Sequence, residues 1–291
     1  MRLSSLLPGA AAAALALALG GCGSSTKPGT ASTAGQLPVA ATPARAPGSG
    51  GGAGSTGGSP ESAQVRSLVA LGLPIYCAGA HGNEVALTFD DGPGVYTRLV
   101  INKLRKHRVA ATFFDVGRNL ELVAHAPADE RALGAVGDHT FTHPLLTALS
   151  ASEAEGEIVR TQSALASASG GPVFLFRPPY GGHSPAIDRI VSEHGMLEIL
   201  WTVDSADSLG ANYAQIESNV IGGLRPGSII LMHENHGQTV RALLSIFAAL
   251  QRKHLRPVSV PQLLTDDPPS AAQVRAGGSG CGIRGRGLGG G

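Results

Sequence analysis

The chain contains few aromatic residues and carries almost no net charge. Phenylalanine, tyrosine and tryptophan together make up 4% of its 291 residues, with a single tryptophan. Basic and acidic side chains nearly balance, at 22 and 21, so the formal net charge is +1. This balance gives no electrostatic case for nucleic-acid binding. The sequence also contains no internal repeat.

The first 21 residues predict an export signal. A single early charge, Arg2, is followed by an apolar run rich in alanine and leucine, Ala10–Leu19. This run is too short and too rich in alanine to be assigned as a membrane span. Residues 19–22, Leu-Gly-Gly-Cys, resemble the bacterial lipobox, and the resemblance implies cleavage before Cys22 and a diacylglyceryl group on its sulfur. The alternative is an ordinary secretory signal with an incidental cysteine.

Residues 22–66 predict a disordered tether, because glycine, serine, threonine, alanine and proline predominate and can bury little apolar area. A flexible chain of this length spans roughly 35 Å, which would hold a domain off a membrane and within reach of a cell wall. We therefore expect an extracytoplasmic monomer that is anchored by lipid to the bacterial membrane, or secreted. Residues 67–266 would form the folded domain, and the glycine-rich residues 267–291 a disordered tail.

Two cysteines, Cys77 and Cys281, remain if Cys22 is lipidated. In an oxidising compartment they either pair, which would tie the tail to the entrance of the domain, or stay as two free thiols. The sequence leaves both alternatives open.

The region between residues 67 and 266 alternates short apolar runs with helical patterns, which predicts parallel strands joined by crossover helices. Seven runs are predicted as strands: Val85–Phe89, Val109–Phe114, Ala135–Gly137, Val173–Phe176, Leu197–Val203, Ile229–Met232 and Pro257–Val260. Four patterns are predicted as helices: Thr97–Lys106, Glu153–Ala166, Tyr213–Val220 and Val240–Gln251. About seven parallel strands in a domain of roughly 200 residues predict an α/β fold, a distorted (β/α) barrel smaller than the eight-fold one. A doubly wound open sheet is the alternative.

Ionisable residues follow five of these strands where each strand ends. They are Asp90 and Asp91; Asp138 and His139; Arg177; Asp204 and Asp207; and His233 and Glu234. The carboxyl ends of parallel strands share one face of a barrel, and functional sites form on that face. We therefore expect these side chains to lie together.

Adjacent acids at the end of a buried strand, Asp90 and Asp91, repel each other unless a cation lies between them. Two further metal-ligating side chains, His139 and His143, are four residues apart, a spacing that puts both imidazoles on one face if the segment is a helical turn. Asp91, His139 and His143 would form a three-ligand site with open positions, which is typical of catalytic rather than structural zinc. Asp90 would stay unligated and accept protons.

Five segments in order resemble the motifs of the polysaccharide deacetylase family, also called the NodB homology domain or carbohydrate esterase family 4. They are TFDDGP at residues 88–93, H-T-F-T-H at 139–143, R-P-P-Y at 177–180, D-S-A-D-S at 204–208 and an apolar pair before His233. The resemblance covers about residues 85–260. It implies a distorted (β/α) barrel, a divalent metal that is usually zinc, and removal of acetyl groups from amino sugars.

The resemblance also implies roles for single residues. Asp90 would be the general base, and Arg177 would orient it, since a guanidinium can pair with a carboxylate through two hydrogen bonds. His233 would be the general acid that protonates the departing amine, with Asp207 fixing its tautomer. The backbone N–H of Tyr180 would stabilise the oxyanion together with the metal.

Two positions depart from the family pattern. Ser208 stands where the family has a tryptophan that helps to wall the pocket, which puts the His233–Asp207 pair in more doubt than the metal site. The single tryptophan, Trp201, is assigned to the core rather than as a replacement. Asp138 stands where the family often has asparagine, and it would support His139 from outside the ligand set.

His183, His194 and His254 show no partner pattern and receive no role.

The sequence therefore predicts a lipid-anchored, metal-dependent enzyme that removes N-acetyl groups from an amino-sugar polymer. Peptidoglycan is the favoured substrate because the tether would place the domain next to the wall. Chitin, poly-N-acetylglucosamine and O-acetylated xylan are rivals that require the same chemistry. A carbohydrate-binding lipoprotein without catalysis is disfavoured, since such modules need aromatic platforms for sugar faces. An amidase acting on a small amide is a third alternative.

Overall fold

The computed structural model describes residues 63–123 and 125–282. The predicted signal segment 1–21, the lipidation site Cys22, the tether up to residue 62 and the last nine residues lie outside the described residues. Within the described part of the chain, the helices fall short of the length and apolarity that crossing a bilayer requires.

Eight strands form one sheet in which every paired strand is parallel to its neighbour. They are β1 (Glu84–Gly92), β2 (Ala111–Asp115), β3 (Gly134–Asp138), β4 (Leu175–Phe176), β5 (Leu197–Glu198), β6 (Val203–Asp204), β7 (Ile229–His233) and β8 (Arg256–Val258). The strand order is β5-β4-β3-β2-β1-β7-β6, and β8 pairs with the beginning of β1. Six of the seven predicted strands are present with boundaries shifted by a few residues.

The predicted strand Leu197–Val203 is divided in two, which shows how the sheet curls. Its first half, β5, pairs with β4 at one edge, while its second half, β6, pairs with β7 at the other edge. Only residues 199–202 separate the two strands, so the opposite edges of the sheet must lie close together. The sheet is therefore a distorted barrel, as predicted, and the open doubly wound alternative is wrong.

Nine α-helices occur in the described residues: α1 (Ala63–Val69), α2 (Thr97–His107), α3 (Ala126–Leu133), α4 (Ala151–Ser169), α5 (Pro185–Glu193), α6 (Tyr213–Gly223), α7 (Gly237–Arg252), α8 (Val260–Asp266) and α9 (Ala271–Arg275). The four predicted helices correspond to α2, α4, α6 and α7. Helix α4 begins with a capping box, in which Ser150 accepts from the backbone N–H of Glu153 and the Glu153 side chain accepts from that of Ser150. Helix α1 extends the folded domain into the segment that was predicted as tether.

Alternate residues of β1 pack in two different hydrophobic clusters. Val85, Leu87 and Phe89 pack in the core cluster that contains side chains of the outer helices α2, α6 and α7. Ala86 packs in a second cluster with residues of the other strands and of α1 and α8. Because successive side chains of a strand point to opposite faces, Thr88 and Asp90 share the face of Ala86, toward the interior of the barrel. Asp90 is thereby buried at the end of a strand whose other residues are almost all buried.

The segment after residue 266 is folded, contrary to the predicted disordered tail beginning at 267. Asp267 accepts hydrogen bonds from the backbone N–H groups of His81 and Gly82, at 2.7 and 3.0 Å, and helix α9 follows. Cys77 and Cys281 form a disulfide, so the paired alternative is the one observed. The prediction of disorder is thus wrong for residues 267–282, because side-chain contacts and the disulfide hold this segment against the domain.

Three carboxylates lie buried together behind the end of β1. Asp115, Glu130 and Glu234 have ligand oxygens within 4.8 Å of one another, and all three side chains are shielded from solvent. Gly92 allows them to meet there, since a Cβ at this position would lie 2.8 Å from Asp115 Oδ1. Burial, and then the charge of Asp90, raises the pKa of Asp115 to about 7. Burial and the charges of Asp115 and Glu234 raise the pKa of Glu130 well above its usual value. The members of this group therefore keep their protons to a higher pH than ordinary carboxyl groups.

We expect Glu130→Gln to reduce the loss of stability on going from about pH 5 to pH 8. In unfolded chains a glutamate releases its proton near pH 4.3, at about its unperturbed pKa, whereas folded Glu130 keeps its proton to higher pH. The native state therefore binds more protons in this window, and its stability falls as pH rises. Glutamine cannot ionise, so it removes one contribution to that fall.

Urea unfolding at the two pH values measures the effect. Glu121→Gln is the matched control, since it replaces the same residue type at an exposed position. An unchanged pH dependence in Glu130→Gln would mean that the pKa of Glu130 is not raised in the folded protein.

Candidate active site

A bulge at the end of β1 brings two adjacent acids to one place. The pairing register of β1 with β2 shifts between Asp90 and Gly92, and Asp91 has a left-handed φ of 69°. In a regular strand, neighbouring side chains point to opposite faces, but the bulge re-aims one of them. As a result, Asp90 Oδ2 and Asp91 Oδ1 lie at similar distances from His139 Nε2, at 3.7 and 3.6 Å.

The three predicted metal ligands are close together. Asp91 Oδ1 lies 3.2 Å from His143 Nε2 and 3.6 Å from His139 Nε2, and the two imidazole centroids are 4.9 Å apart. His139 Nδ1 donates a hydrogen bond of 2.7 Å to the carbonyl oxygen of Arg177, which leaves the Nε2 lone pair directed at Asp91. One aspartate and two imidazoles therefore converge on a single point.

The segment that contains both histidines is a loop, so the helical turn considered from their spacing is wrong. Thr140 and His143 have left-handed φ values of 65° and 64°, which no α-helix contains. Asp138 accepts a hydrogen bond from the backbone N–H of Thr140 at 2.7 Å, and Thr140 Oγ1 accepts one from that of His143 at 3.1 Å. These hydrogen bonds, rather than helical periodicity, bring the imidazoles together. Asp138 thus supports the loop, as expected of a residue outside the ligand set.

The electrostatics of this site fit a cation. Asp91 Oδ1 is buried and accepts no hydrogen bond from the described residues, although two imidazole nitrogens approach it. Burial alone would raise the pKa of Asp91, but the close imidazole of His143 and the charges of His139 and His233 hold it well below its usual value. Burial lowers the pKa of His139, which favours the neutral imidazole that metals require. A free carboxylate oxygen facing two imidazole nitrogens is a donor set for zinc or a similar divalent metal.

Arg177 is fully buried and holds Asp90 in place. Its Nη1 donates to Asp90 Oδ1 and to Thr88 Oγ1, both at 2.7 Å, and its Nε donates to the carbonyl oxygen of Ile199 at 3.0 Å. The expected pairing through two hydrogen bonds to one carboxylate is therefore wrong, because only one joins Arg177 to Asp90. Through its hydrogen bonds to Thr88 and to Ile199, Arg177 connects β1 to the segment between β5 and β6.

His233 and Asp207 form a buried pair. His233 Nδ1 lies 2.7 Å from Asp207 Oδ1, and the His233 backbone N–H donates to Asp207 Oδ2 at 2.7 Å. Burial disfavours the charged imidazole, but the hydrogen bond to Asp207 and the charges of Asp207, Asp90 and Asp91 raise the pKa of His233 to about 9. The pair is intact although Ser208 replaces the usual tryptophan, since Ser208 contributes only a backbone N–H to Asp207, at 2.9 Å.

The remaining predicted residues lie around this centre. Tyr180 is exposed, has a left-handed φ of 61°, and packs its ring against His143 with centroids 4.8 Å apart. Trp201 is buried in the core, as assigned from the sequence, where it lies beneath Gly181 and faces the guanidinium of Arg177. Asp204 is exposed and accepts from the backbone N–H of Ala206 at 2.7 Å, so it closes a turn rather than joining the site.

Three residues contribute to the site without having been singled out. Thr239 donates through its hydroxyl to Asp207 Oδ2 at 2.5 Å, and Asn235 donates to Asp91 Oδ2 at 3.2 Å. Thr88 accepts from Arg177 and donates to the carbonyl oxygen of Ile230 at 2.7 Å. Thr88 was visible as a polar residue in the apolar run of β1, whereas nothing in the local sequence marks Thr239 or Asn235.

The chain is similar to known proteins in sequence and in fold. Residues 78–199 match the profile of a family described as polysaccharide deacetylase. A peptidoglycan-N-acetylglucosamine deacetylase of Bacillus cereus is 35% identical over 188 residues, covering 62% of this chain and 68% of the relative. A chitooligosaccharide deacetylase of a Bradyrhizobium species is 34% identical over 202 residues, covering 62% of this chain and 90% of the relative. The crystal structure of a peptidoglycan N-acetylglucosamine deacetylase superposes with a TM-score of 0.65 at 31% identity, over 70% of this chain and 98% of that one. The chain therefore belongs to the polysaccharide deacetylase family and is a hydrolase of carbohydrate esterase family 4.

Proposed function

We propose that this protein is a metal-dependent N-deacetylase of amino-sugar polymers, with peptidoglycan N-acetylglucosamine as its substrate. The observation that carries the proposal is the convergence of Asp91, His139 and His143 beside a separate, arginine-bound Asp90. Asp91, His139 and His143 would hold the divalent cation, most simply zinc. When bound, such a cation polarises a carbonyl group and lowers the pKa of water from about 15.7 towards about 7.

Asp90 would act as the general base. Its Oδ1 accepts a hydrogen bond from Arg177 at 2.7 Å, while its Oδ2 faces the proposed metal ligands and lies 3.7 Å from His139 Nε2. The arginine partner compensates the buried negative charge without blocking the second oxygen. Asp90 is therefore oriented to take a proton from the water that attacks the acetyl carbonyl.

His233 would act as the general acid. Its Nδ1 is held by Asp207, so Nε2 is the nitrogen that can give a proton to the departing amine. With a pKa of about 9, the imidazole carries that proton at neutral pH. Base and acid are adjacent across the sheet, because Asp90 and His233 are register partners in β1 and β7. A tetrahedral intermediate bound between them would meet the base on one side and the acid on the other.

The choice of peptidoglycan rests on two supports. The Bacillus cereus relative is named for activity on peptidoglycan, and the predicted lipid anchor at Cys22 with its tether would place the domain beside the wall. The Bradyrhizobium relative is named for activity on chitooligosaccharides, so chitin oligomers are the main rival, followed by poly-N-acetylglucosamine and O-acetylated xylan. We propose an extracytoplasmic, membrane-anchored location on the same grounds.

Acetate release from purified peptidoglycan and from chitin oligomers tests the proposal directly. We expect release from peptidoglycan at a higher kcat/KM than from chitin oligomers, loss of activity with a chelator, and recovery on addition of zinc. Activity that persists after exhaustive chelation would contradict metal dependence. Faster release from chitin oligomers would contradict the substrate assignment but leave the chemistry standing.

We expect Asp90→Asn to lower kcat for acetate release by at least about 100-fold while leaving polymer binding nearly unchanged, because loss of a general base typically costs 10²–10⁴-fold. Asp204→Asn is the matched control, since Asp204 also lies at the end of a strand, β6, but only closes an exposed turn. Equal acetate release by Asp90→Asn and the wild type would mean that the protein does not act through this base.

We expect Asp207→Asn to shift the alkaline limb of the kcat/KM profile to lower pH. The carboxylate raises the pKa of His233, so its removal lets the imidazole lose its proton at a lower pH. Since a general acid works only while protonated, activity would fall earlier as pH rises. The pH–rate profile measures this directly, and an alkaline limb that stays in place would show that His233 is not the acid.

A further inference from the structure

A second group of metal-ligating side chains lies apart from the active site. His183, Asp188 and Glu198 each offer one ligand atom, and these atoms all lie within 4.8 Å of one another. We propose that these three residues bind a second divalent cation, for which zinc has the matching ligand preferences.

The spacing of the three donors fits one cation. His183 Nδ1 lies 3.0 Å from Asp188 Oδ1 and 3.9 Å from Glu198 Oε1. Tetrahedral zinc with bonds of about 2.0–2.2 Å places neighbouring ligand atoms about 3.4 Å apart, a value between those two distances. The corresponding distances in the first site, 3.2 and 3.6 Å, bracket the same value.

Glu198 provides an independent indication of a ligand. Its side chain is 3% exposed, yet both carboxylate oxygens are buried and accept no hydrogen bond in the described residues. A buried carboxylate without partners is costly, and so is the neighbouring charge of Asp188. Within the described residues, Asp188 and Glu198 each form an ion pair with His183. A divalent cation would compensate both carboxylates at once.

Tyr76 orients the imidazole for this purpose. Its hydroxyl lies 3.3 Å from His183 Nε2, on the side of the ring opposite the two carboxylates. With the Nε2 proton donated to the hydroxyl, the Nδ1 lone pair faces Asp188 and Glu198. The same arrangement occurs in the first site, where a carbonyl oxygen fixes one nitrogen of His139 and frees the other.

The site is also reachable from solvent. The His183 side chain is 28% exposed, so a cation can enter without unfolding of the core. The Asp115–Glu130–Glu234 group differs in both respects, since it offers no nitrogen donor and is closed to solvent. The geometry therefore favours only the histidine-containing group as a second metal site.

A cation at this position would connect three elements. Asp188 lies in the first half of α5, Glu198 lies in the edge strand β5, and His183 lies three residues after Tyr180. Tyr180 in turn packs against His143 of the first site. The second cation would thus fix the loop that contains Arg177 and Tyr180 to α5 and β5, as structural zinc does in other folds.

Zinc stoichiometry of the full chain tests the proposal. The protein is stripped with chelator, dialysed against buffered micromolar free zinc, and analysed by mass spectrometry of the metal. We expect two equivalents in the wild type, one in Glu198→Gln, one in His183→Asn and one in Asp91→Asn/His143→Asn. In that last variant, where the first site is removed, added zinc should still raise Tm, and the rise should vanish when Glu198→Gln is added.

Glu155→Gln is the matched control, because Glu155 forms an exposed two-residue pair with His194 at 2.8 Å and offers no third ligand. It should keep both equivalents. If Glu198→Gln fails to fold, His183→Asn carries the test, since His183 is partly exposed. A single equivalent in the wild type, or a second one that survives both substitutions, overturns the proposal. Acetate release plays no part in this readout, so the deacetylase proposal and the second site can fail separately.

Discussion

The buried ion pair between Arg177 and Asp90 is the constraint on which the rest of the site depends. Two strands, β3 and β2, separate β4, which ends just before Arg177, from β1 in the sheet. Arg177 can therefore reach Asp90 and Thr88 only across the interior of the curled barrel. Its other donors contact the carbonyl oxygens of Ile199 and Leu200, in the segment that joins the two edges of the sheet. The same side chain thus compensates the carboxylate of Asp90 and holds the barrel closed. A charged residue so fully buried is retained only when its donors are used, and here each of its three nitrogens donates to an oxygen.

The domain buries an unusual number of carboxylates, and each group is compensated in a different way. Asp90 has an arginine, Asp207 has the imidazole of His233, and Asp91 has two imidazoles arranged for a cation. The group of Asp115, Glu130 and Glu234 has no basic partner in the described residues and keeps protons instead, since burial raises the pKa of each member. The kind of compensation determines what a carboxylate can do. A cationic partner favours the charged form of a carboxylate, and a charged carboxylate can orient a proton, bind a metal or stabilise an imidazolium.

Much of the fold and the site could be predicted from the sequence, because both are recorded in short segments. The apolar runs fix the strands, and the rule that sites form at the carboxyl ends of parallel strands places Asp90, His139, Arg177 and His233 together. What could not be predicted depends on backbone geometry or on distant contacts. The left-handed backbone that aims the ligands, at Asp91, Thr140, His143 and Tyr180, could not be predicted, because most residues of these types elsewhere in a chain are not left-handed. The group of His183, Asp188 and Glu198 could not be predicted either, because its members lie on a loop, a helix and a strand. In hindsight, Glu198 was its one visible sign, as a lone acid within the apolar run Met-Leu-Glu-Ile-Leu-Trp.

The loops around the candidate active site also carry exposed apolar side chains. Val95, Leu145, Tyr180 and Leu209 are 85%, 44%, 56% and 79% exposed, and each follows a site residue by two to four positions. Three of the four are aliphatic, and Ser208 stands where the family has tryptophan. Side chains of this kind offer sugar rings little aromatic stacking. Under the proposed function, binding energy would therefore be concentrated on the acetamide at the metal ligands, Asp90 and His233. Energy concentrated at the reacting group can be used to stabilise the transition state, whereas stacking on remote rings stabilises substrate and transition state alike.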